Sequence, residues 1–437
     1  MIDTLFGNSF HLSNGRVIQL LPRKIICDAD AFIQIPEKLK TLAPGKPLAL
    51  VMDPRTRRAA GEKILSILNE TQNAVHPIIL GSDTTEEPRC DEQHLRYLQH
   101  QIDSQHFLIA IGSGVINDLC KWLASLREQP YICCATAASM NGYASANVAV
   151  TRGAVKELIH GRPPELIFAQ PDILASAPAN MTTAGVGDLL AKEVSTLDWL
   201  LNHYLFGDEL VEESIAWSNR AAQLLFSHYH NLPQRTGAVA KLFYALLITG
   251  AAMTLAGTSS PASGAEHLFS HTLDMLAIRD HRHHDLHGRQ VGIGTILTAR
   301  LWQYILSLNP SKIRITPIPE LDLHAFWGTL TPNIRKHYEA KRPRLVQAQK
   351  LLNPARWEAI RQKLIPYAPD TSRILRILKH VGGAWRFEHI GINEDLAAQV
   401  IIHAHQMRSR FTCLDLAYIL GITPQELIQI VIPPNHT

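Results

Sequence analysis

Four short apolar runs in the N-terminal part of the chain each stop at a polar or glycine turn and then give way to a helical pattern. They are Leu48-Ala49-Leu50-Val51-Met52 before Asp53-Pro54, Pro77-Ile78-Ile79-Leu80 before Gly81-Ser82, Phe107-Leu108-Ile109-Ala110-Ile111 before Gly112, and Pro130-Tyr131-Ile132-Cys133-Cys134 before Thr136. Such alternation is the signature of a parallel sheet with helical crossovers. After Pro171-Asp172-Ile173-Leu174 the pattern changes to long stretches with i, i+3, i+4 apolar spacing, such as 211–229 and 238–256. The expected architecture is an α/β, Rossmann-like nucleotide-binding domain over 1–174 and an all-α domain over 175–437. In open α/β sheets ligands collect beyond the carboxyl ends of the strands, so the four strand ends are the first place to look for one.

Length supports the division, because single hydrophobic cores rarely grow beyond about 250–300 residues and this chain has 437. A hydrophobic fraction of 46%, a charged fraction of 19% and a net charge of +3 describe an ordinary globular protein. They give no sign of a nucleic-acid partner or a membrane span. The six cysteines are scattered without a CxxC pair and read as reduced, buried thiols. With no basic segment leading into an apolar one at the start, the expected location is the cytoplasm.

Gly112-Ser113-Gly114 follows a strand and precedes the helical run from Ile116 to Leu123. Glycines let a backbone approach a pyrophosphate closely, and free N–H groups at a helix start favour negative charge. The third glycine of the usual dinucleotide fingerprint is missing, so a plain tight turn stands beside the phosphate cradle as a reading. Thr136 and Ser139, at the next strand end, offer two hydroxyls for a phosphate or the nicotinamide amide, or a helix cap. Asp53 is placed as an acid contacting adenosine hydroxyls would be. Arg55, Arg57 and Arg58 follow it and suit a 2′-phosphate, which leaves NAD and NADP both open.

Gly185-Val186-Gly187-Asp188 opens a helical run, where an Asp is also favoured by the helix dipole. His267 and His271 stand one turn apart on one helix face, and His287 follows after sixteen residues in a loop that also holds His281, His283 and His284. His287 is preferred from that group because Gly288 follows it and a helix begins there. Asp188, His267 and His287 together make one carboxylate and two imidazoles, a donor set for a catalytic divalent ion with an open position.

The ordered series Ile111 to Asp118, Thr136-Ala137-Ala138-Ser139-Met140-Asn141-Gly142-Tyr143-Ala144-Ser145, Ala175-Ser176-Ala177-Pro178, Gly185 to Asp188, Ser263-Gly264-Ala265-Glu266-His267-Leu268-Phe269-Ser270-His271, His287 to Gly292 and Arg410 to Leu416 resembles the glycerol-1-phosphate dehydrogenases. The likeness spans nearly the whole chain. That group belongs with the dehydroquinate synthase-like proteins and iron-containing alcohol dehydrogenases, with an α/β nucleotide domain, a helical domain and an active site in the cleft between them. The resemblance implies that Asp188, His267 and His287 bind zinc or nickel, with iron as a further option. It also implies that Gly112, Ser113, Gly114, Val115 and Ile116, with Thr136, Ser139 and Ser145, bind the dinucleotide, and that Asp188 and His271 serve the substrate and catalysis. The implied reaction is reduction of dihydroxyacetone phosphate, a small phosphorylated ketone, to glycerol 1-phosphate by NADH or NADPH. A homodimer is a possible assembly.

Asn141 departs from the Ser-Met-Asp-Gly pattern usual in that family. It keeps an acceptor oxygen, loses the charge and gains amide donors, which suits a ligand presenting a carbonyl, carboxylate or phosphate. Arg289 would add positive charge near such an anion. Two other readings follow. One is a related oxidoreductase or sugar-phosphate cyclase drawing on Lys156, Arg152 and Arg162; the other is a non-catalytic nucleotide- or metal-binding relative.

Overall fold

The computed structural model describes residues 5–82, 87–153, 155–234 and 237–433. The chain divides into two compact units: Met1–Gly185 with Ala216–Thr258, and Val186–Ile215 with Ser259–Thr437.

The first unit is built on a six-stranded sheet. In chain order the strands are β1 (Ser9–His11), β2 (Val17–Gln19), β3 (Lys24–Cys27), β4 (Leu48–Met52), β5 (Val75–Ile79), β6 (Phe107–Gly112), β7 (Tyr131–Ala135), β8 (Asn147–Arg152), β9 (Val155–His160) and β10 (Leu166–Ala169). Strands β1 with β2 and β8 with β9 form two antiparallel ribbons, while the sheet runs β3-β10-β7-β6-β4-β5, every pair parallel. Central strands β4, β6, β7 and β10 are buried throughout, which explains why their sequences are unbroken apolar runs rather than alternating ones. Pro77, which has no N–H for a ladder, lies in edge strand β5. Leu48, Leu50 and Met52 pack one face of the sheet onto Phe32, Ile35, Leu39, Ile64 and Leu68.

The sheet grows outward from β4 to β5 in one direction and from β6 through β7 to β10 in the other. The strand order therefore reverses between β4 and β6, the place where open α/β sheets leave a crevice for ligands. Helix Ala238–Ala256 belongs to this unit and is long and apolar enough to cross a membrane, but 78% of its apolar window is buried inside the protein, as in a core helix. Its Gly250 lies against the turn at 142–144: a Cβ there would stand 2.5 Å from Asn141 O.

Among its described residues the second unit has helices and connecting loops but no strand. It contains helices Lys192–Phe206, Ala265–Arg279, His287–Ser307, Thr331–Leu351 and Thr371–His380, among others. A buried ionic network ties its C-terminal part together. Lys341 Nζ lies 2.7 Å from Asp415 Oδ1 and also donates to His405 O, and the His405 Nδ1 position is 3.2 Å from the same carboxylate oxygen. Asp415 Oδ2 accepts the Thr412 N–H at 2.9 Å, capping helix Cys413–Ile419.

Candidate active site

In the first unit, Asp53 follows β4, Gly112 ends β6 and Thr136 follows β7, so three of the sequence-predicted groups stand at adjacent strand ends around the reversal point. Gly112 is demanded by packing, because a Cβ there would lie 2.8 Å from Ile116 Cβ in the first turn of helix Gly114–Leu126. Gly114 is different: a Cβ would meet only Met140 Cγ at 3.9 Å, leaving open space over the helix start beside the partly exposed Val115. That open backbone at a helix N-terminus fits a pyrophosphate.

Asp53 Oδ1 accepts the Thr56 N–H at 2.7 Å and Thr56 Oγ1 accepts the Asp53 N–H at 2.9 Å, a capping box that fixes the acid's orientation. Arg55 and Arg57 reach Glu87 and Glu62, at 2.5 and 3.2 Å. Thr136 and Ser139 are largely buried, and the Thr136 N–H donates to Gly112 O at 3.2 Å. Ser145 shares its hydroxyl hydrogen between Gly142 O and Asn147 O, each at 3.3 Å, so only its lone pairs remain for a ligand. Asn141 is half-buried at the start of the 142–144 turn.

Lys121, fully buried on the cradle helix, anchors this turn in a way the sequence motifs did not reveal. Its Nζ donates to Gly142 O at 2.6 Å and Asn147 O at 3.0 Å, with Asp118 Oδ1 at 3.4 Å. Asp118 Oδ2 accepts the Ala149 N–H at 3.3 Å.

In the second unit three helices meet through glycines. A Cβ on Gly187 would lie 2.0 Å from Gly288 O, and one on Gly294 would lie 2.4 Å from Glu266 O. These approaches bring Asp188, on helix Ala179–Leu190, beside His287, and helix His287–Ser307 beside the helix carrying His267 and His271. The ligating atoms of Asp188, His267 and His287 lie within 4.8 Å of one another. His267 Nε2 is 3.7 Å from Asp188 Oδ1. The His271 ring centroid is 5.9 Å from that of His267 and 5.2 Å from that of His287. His281, His283 and His284 stand outside the trio that sequence spacing assembled.

Hydrogen bonds fix how these imidazoles point. The Glu266 carboxylate lies 2.8 Å from His267 Nδ1 and also accepts the Gly264 N–H at 2.7 Å, so the proton of His267 sits on Nδ1 and its Nε2 lone pair faces Asp188. Ser270 Oγ donates to Gln290 Oε1 at 2.7 Å, and the one hydroxyl hydrogen is then spent. Its lone pair must accept from His287 Nδ1 at 2.9 Å, which leaves His287 Nε2 as that ring's ligand atom. Burial holds His267 well below the ordinary histidine range, with the neighbouring His287 adding to it, so the ring is kept neutral. Neutral, oriented imidazoles beside a carboxylate fit a divalent ion.

The surrounding charges are balanced by buried groups. Lys192 Nζ donates to Asp188 O at 2.9 Å and Ala262 O at 3.0 Å and lies 3.9 Å from Asp188 Oδ1; burial lowers its pKa. Asp198 accepts N–H bonds from Ala265 at 2.7 Å and Cys413 at 2.9 Å, and burial raises both Asp198 and Glu266 to about 7. Arg410 donates to Ser263 O and to Ser259 Oγ, the latter at 2.9 Å, and its charge faces both acids. Arg289 is engaged with Asp285 at 2.9 Å and His389 O at 2.8 Å. Glu266, Ser270 and Gln290 all lie in motifs that carry the family resemblance, but only Glu266, adjoining His267, could be suspected of a role there; Lys192 lies outside those motifs.

Residues 27–178 match the family described as iron-containing alcohol dehydrogenase. The chain is 28% identical to the NAD(P)+ glycerol-1-phosphate dehydrogenase of Bacillus licheniformis over 394 residues, 90% of this chain and 87% of that protein. It is 35% identical to that of Pyrococcus furiosus over 303 residues, 68% of this chain and 83% of the relative. Among solved structures it is similar to a probable glycerol dehydrogenase from Sinorhizobium meliloti, with a TM-score of 0.61 at 18% identity, covering 94% of this chain and 96% of that one. The glycerol dehydrogenase of Schizosaccharomyces pombe gives 0.58 at 18% identity, covering 96% and 93%.

Proposed function

Because the chain belongs to the glycerol-1-phosphate dehydrogenase family, a branch of the iron-containing alcohol dehydrogenases, we propose that it reduces dihydroxyacetone phosphate to sn-glycerol 1-phosphate with NADH or NADPH. The observation that carries this reading is the convergence of Asp188 and His267, both buried, with the half-buried His287 on one point. These three residues hold the divalent ion, zinc or nickel or alternatively iron, which when bound polarises the ketone and stabilises negative charge on its oxygen. Glu266 and Ser270 keep the two imidazoles in the ligating tautomer. Gly112, Ser113, Gly114, Val115 and Ile116 receive the pyrophosphate, Asp53 the adenosine hydroxyls, and Thr136 and Ser139 the nicotinamide side. Ser145, whose hydroxyl hydrogen is held by Gly142 O and Asn147 O, meets the dinucleotide through its lone pairs.

Reduction places a hydride on the carbonyl carbon and needs one proton on the oxygen. A ring N–H of His271, buried next to His287, supplies that proton. Asn141 offers amide donors where the family pattern has a carboxylate, favouring an acceptor on the substrate. Arg152 and Arg162, on which a cyclase would draw, are already paired with Glu92, Glu157 and Glu165.

The test is oxidation of NADH or NADPH, followed by absorbance, with dihydroxyacetone phosphate and then unphosphorylated ketones, in the presence of zinc, nickel or iron. Absence of turnover under all of these conditions overturns the proposal. Asn141→Asp is expected to raise turnover of dihydroxyacetone phosphate; an unchanged or lower rate counts against this role for Asn141.

A further inference from the structure

We propose that the chain carries a second divalent-cation station, formed by His271, Asp274 and His287, which shares His287 with the first. The inference rests on the metal reading above through that shared residue. The ligating atoms of His271, Asp274 and His287 lie within 4.8 Å of one another, the same spread as the first trio. His271 and Asp274 are three residues apart on helix Ala265–Arg279 and so share one face; both are buried. The rings of His271 and His287 are stacked, 25° apart in plane. The donor set is again two imidazole nitrogens and one carboxylate oxygen, which suits zinc or cobalt(II).

The two stations exclude one another. Nδ1 of His287 is committed to Ser270, so a single nitrogen, Nε2, must serve either ion position. Their electrostatic settings differ as well. Asp188 has the Lys192 ammonium 3.9 Å from its carboxylate, whereas the group beside Asp274 is His284, with Nδ1 3.4 Å from Oδ1. The His284 side chain is 35% exposed while Asp274 is 4% exposed. The donors therefore run from a solvent-reached imidazole through Asp274 and His271 to His287, and on to the buried His267 and Asp188. An ion moving along this series exchanges its waters for protein ligands a few at a time, instead of shedding its hydration at once. The second station is a step on the loading route of the first.

Cobalt(II) and zinc titrations of the metal-free full-length protein test this. Wild type is expected to bind one equivalent. Asp188→Asn should still bind one equivalent of cobalt, at least tenfold more weakly and with shifted visible bands, and Asp188→Asn/Asp274→Asn should bind none. His267→Ala, read in parallel, disables the first station from its other side and should also retain cobalt. Asp274→Asn alone should keep the wild-type cobalt bands and circular dichroism but take up the ion at least threefold more slowly. Loss of all cobalt binding in a folded Asp188→Asn or His267→Ala protein overturns the second station and leaves the first standing. Retention in the double variant, two equivalents in wild type, or unchanged uptake in Asp274→Asn also overturns it. A wild-type protein that binds no metal at all overturns both readings.

Discussion

Gly187→Ala probes whether the glycine contact, rather than the ligand side chains alone, sets the geometry of the metal trio. The added Cβ would stand 2.0 Å from Gly288 O, 3.1 Å from Gly288 C and 3.2 Å from Gly292 Cα. All three are backbone atoms, so no side chain can swing aside, and reaching an ordinary contact of about 3.5 Å requires the two helices to part by roughly 1.5 Å. Asp188 follows the substituted residue and His287 precedes Gly288, so the shift falls on two of the three ligands. Metal sites hold their ligand distances to about 0.2 Å. Overpacking costs about 1–3 kcal/mol, which lowers Tm by several degrees in a domain of this size. Zinc affinity, measured by competition with a chromophoric chelator, should fall at least tenfold, equivalent to about 1.4 kcal/mol. Gly114→Ala is the control: its Cβ meets nothing closer than 3.9 Å, so Tm and zinc affinity should be unchanged. A folded Gly187→Ala protein that binds zinc within twofold of wild type would refute the argument.

Ser270→Ala removes the acceptor that fixes the His287 tautomer and should weaken zinc about 10–100-fold with secondary structure intact, by the same competition assay. Unchanged affinity would show that the tautomer is set elsewhere. Lys121→Met strips the carbonyls of Gly142 and Asn147 of their shared donor and leaves Asp118 without its cation; unfolding in urea should show a loss of about 3–5 kcal/mol. Stability should also depend on pH through His405, whose imidazole is pushed by burial down to about 4. The unfolded chain takes up this proton below about pH 6.5 while the native protein refuses it until near pH 4, so stability falls as pH drops through that window, by about 3 kcal/mol in total. His405→Gln should flatten this part of the profile in urea titrations at successive pH values; an undiminished slope would assign it to other groups.

The elements that proved legible in the sequence are those whose residues are neighbours along the chain. The runs at Leu48, Phe107 and Tyr131 became central strands because a strand buried on both faces has no polar side to interrupt it, and Gly112 marked the turn that Ile116 packs against. By spacing alone Asp188, His267 and His287 are only chemical types at plausible places, and it is the family resemblance that singles them out; in the structure three helices bring them together. The contacts doing so, Gly187 on Gly288 and Gly294 on Glu266, leave no trace in periodicity, since a glycine in a helix looks the same whether or not a backbone lies against it. Ser270 has no role legible in the sequence, because what a hydroxyl does depends on which two partners it finds. Ser145 is a further such hydroxyl: its hydrogen is shared between Gly142 O and Asn147 O, and its lone pairs are what is left for the dinucleotide contact that the resemblance implies.

Helix Ala238–Ala256 belongs with the sheet although the preceding part of the second unit, Val186–Ile215, lies before it in the chain. For a polypeptide made from its N-terminus this imposes a waiting period. The turn bearing Asn141 is translated about a hundred residues before the helix whose Gly250 closes against it, an interval of roughly 5–20 s at ordinary elongation rates. Until then the 142–144 turn lacks the helix that packs on it, and that apolar helix emerges only after the turn and its strands have been made. Neither unit can be obtained by a single cut, because each is assembled from two separate stretches of the sequence. Expression of either unit alone requires splicing its stretches, not truncating the chain.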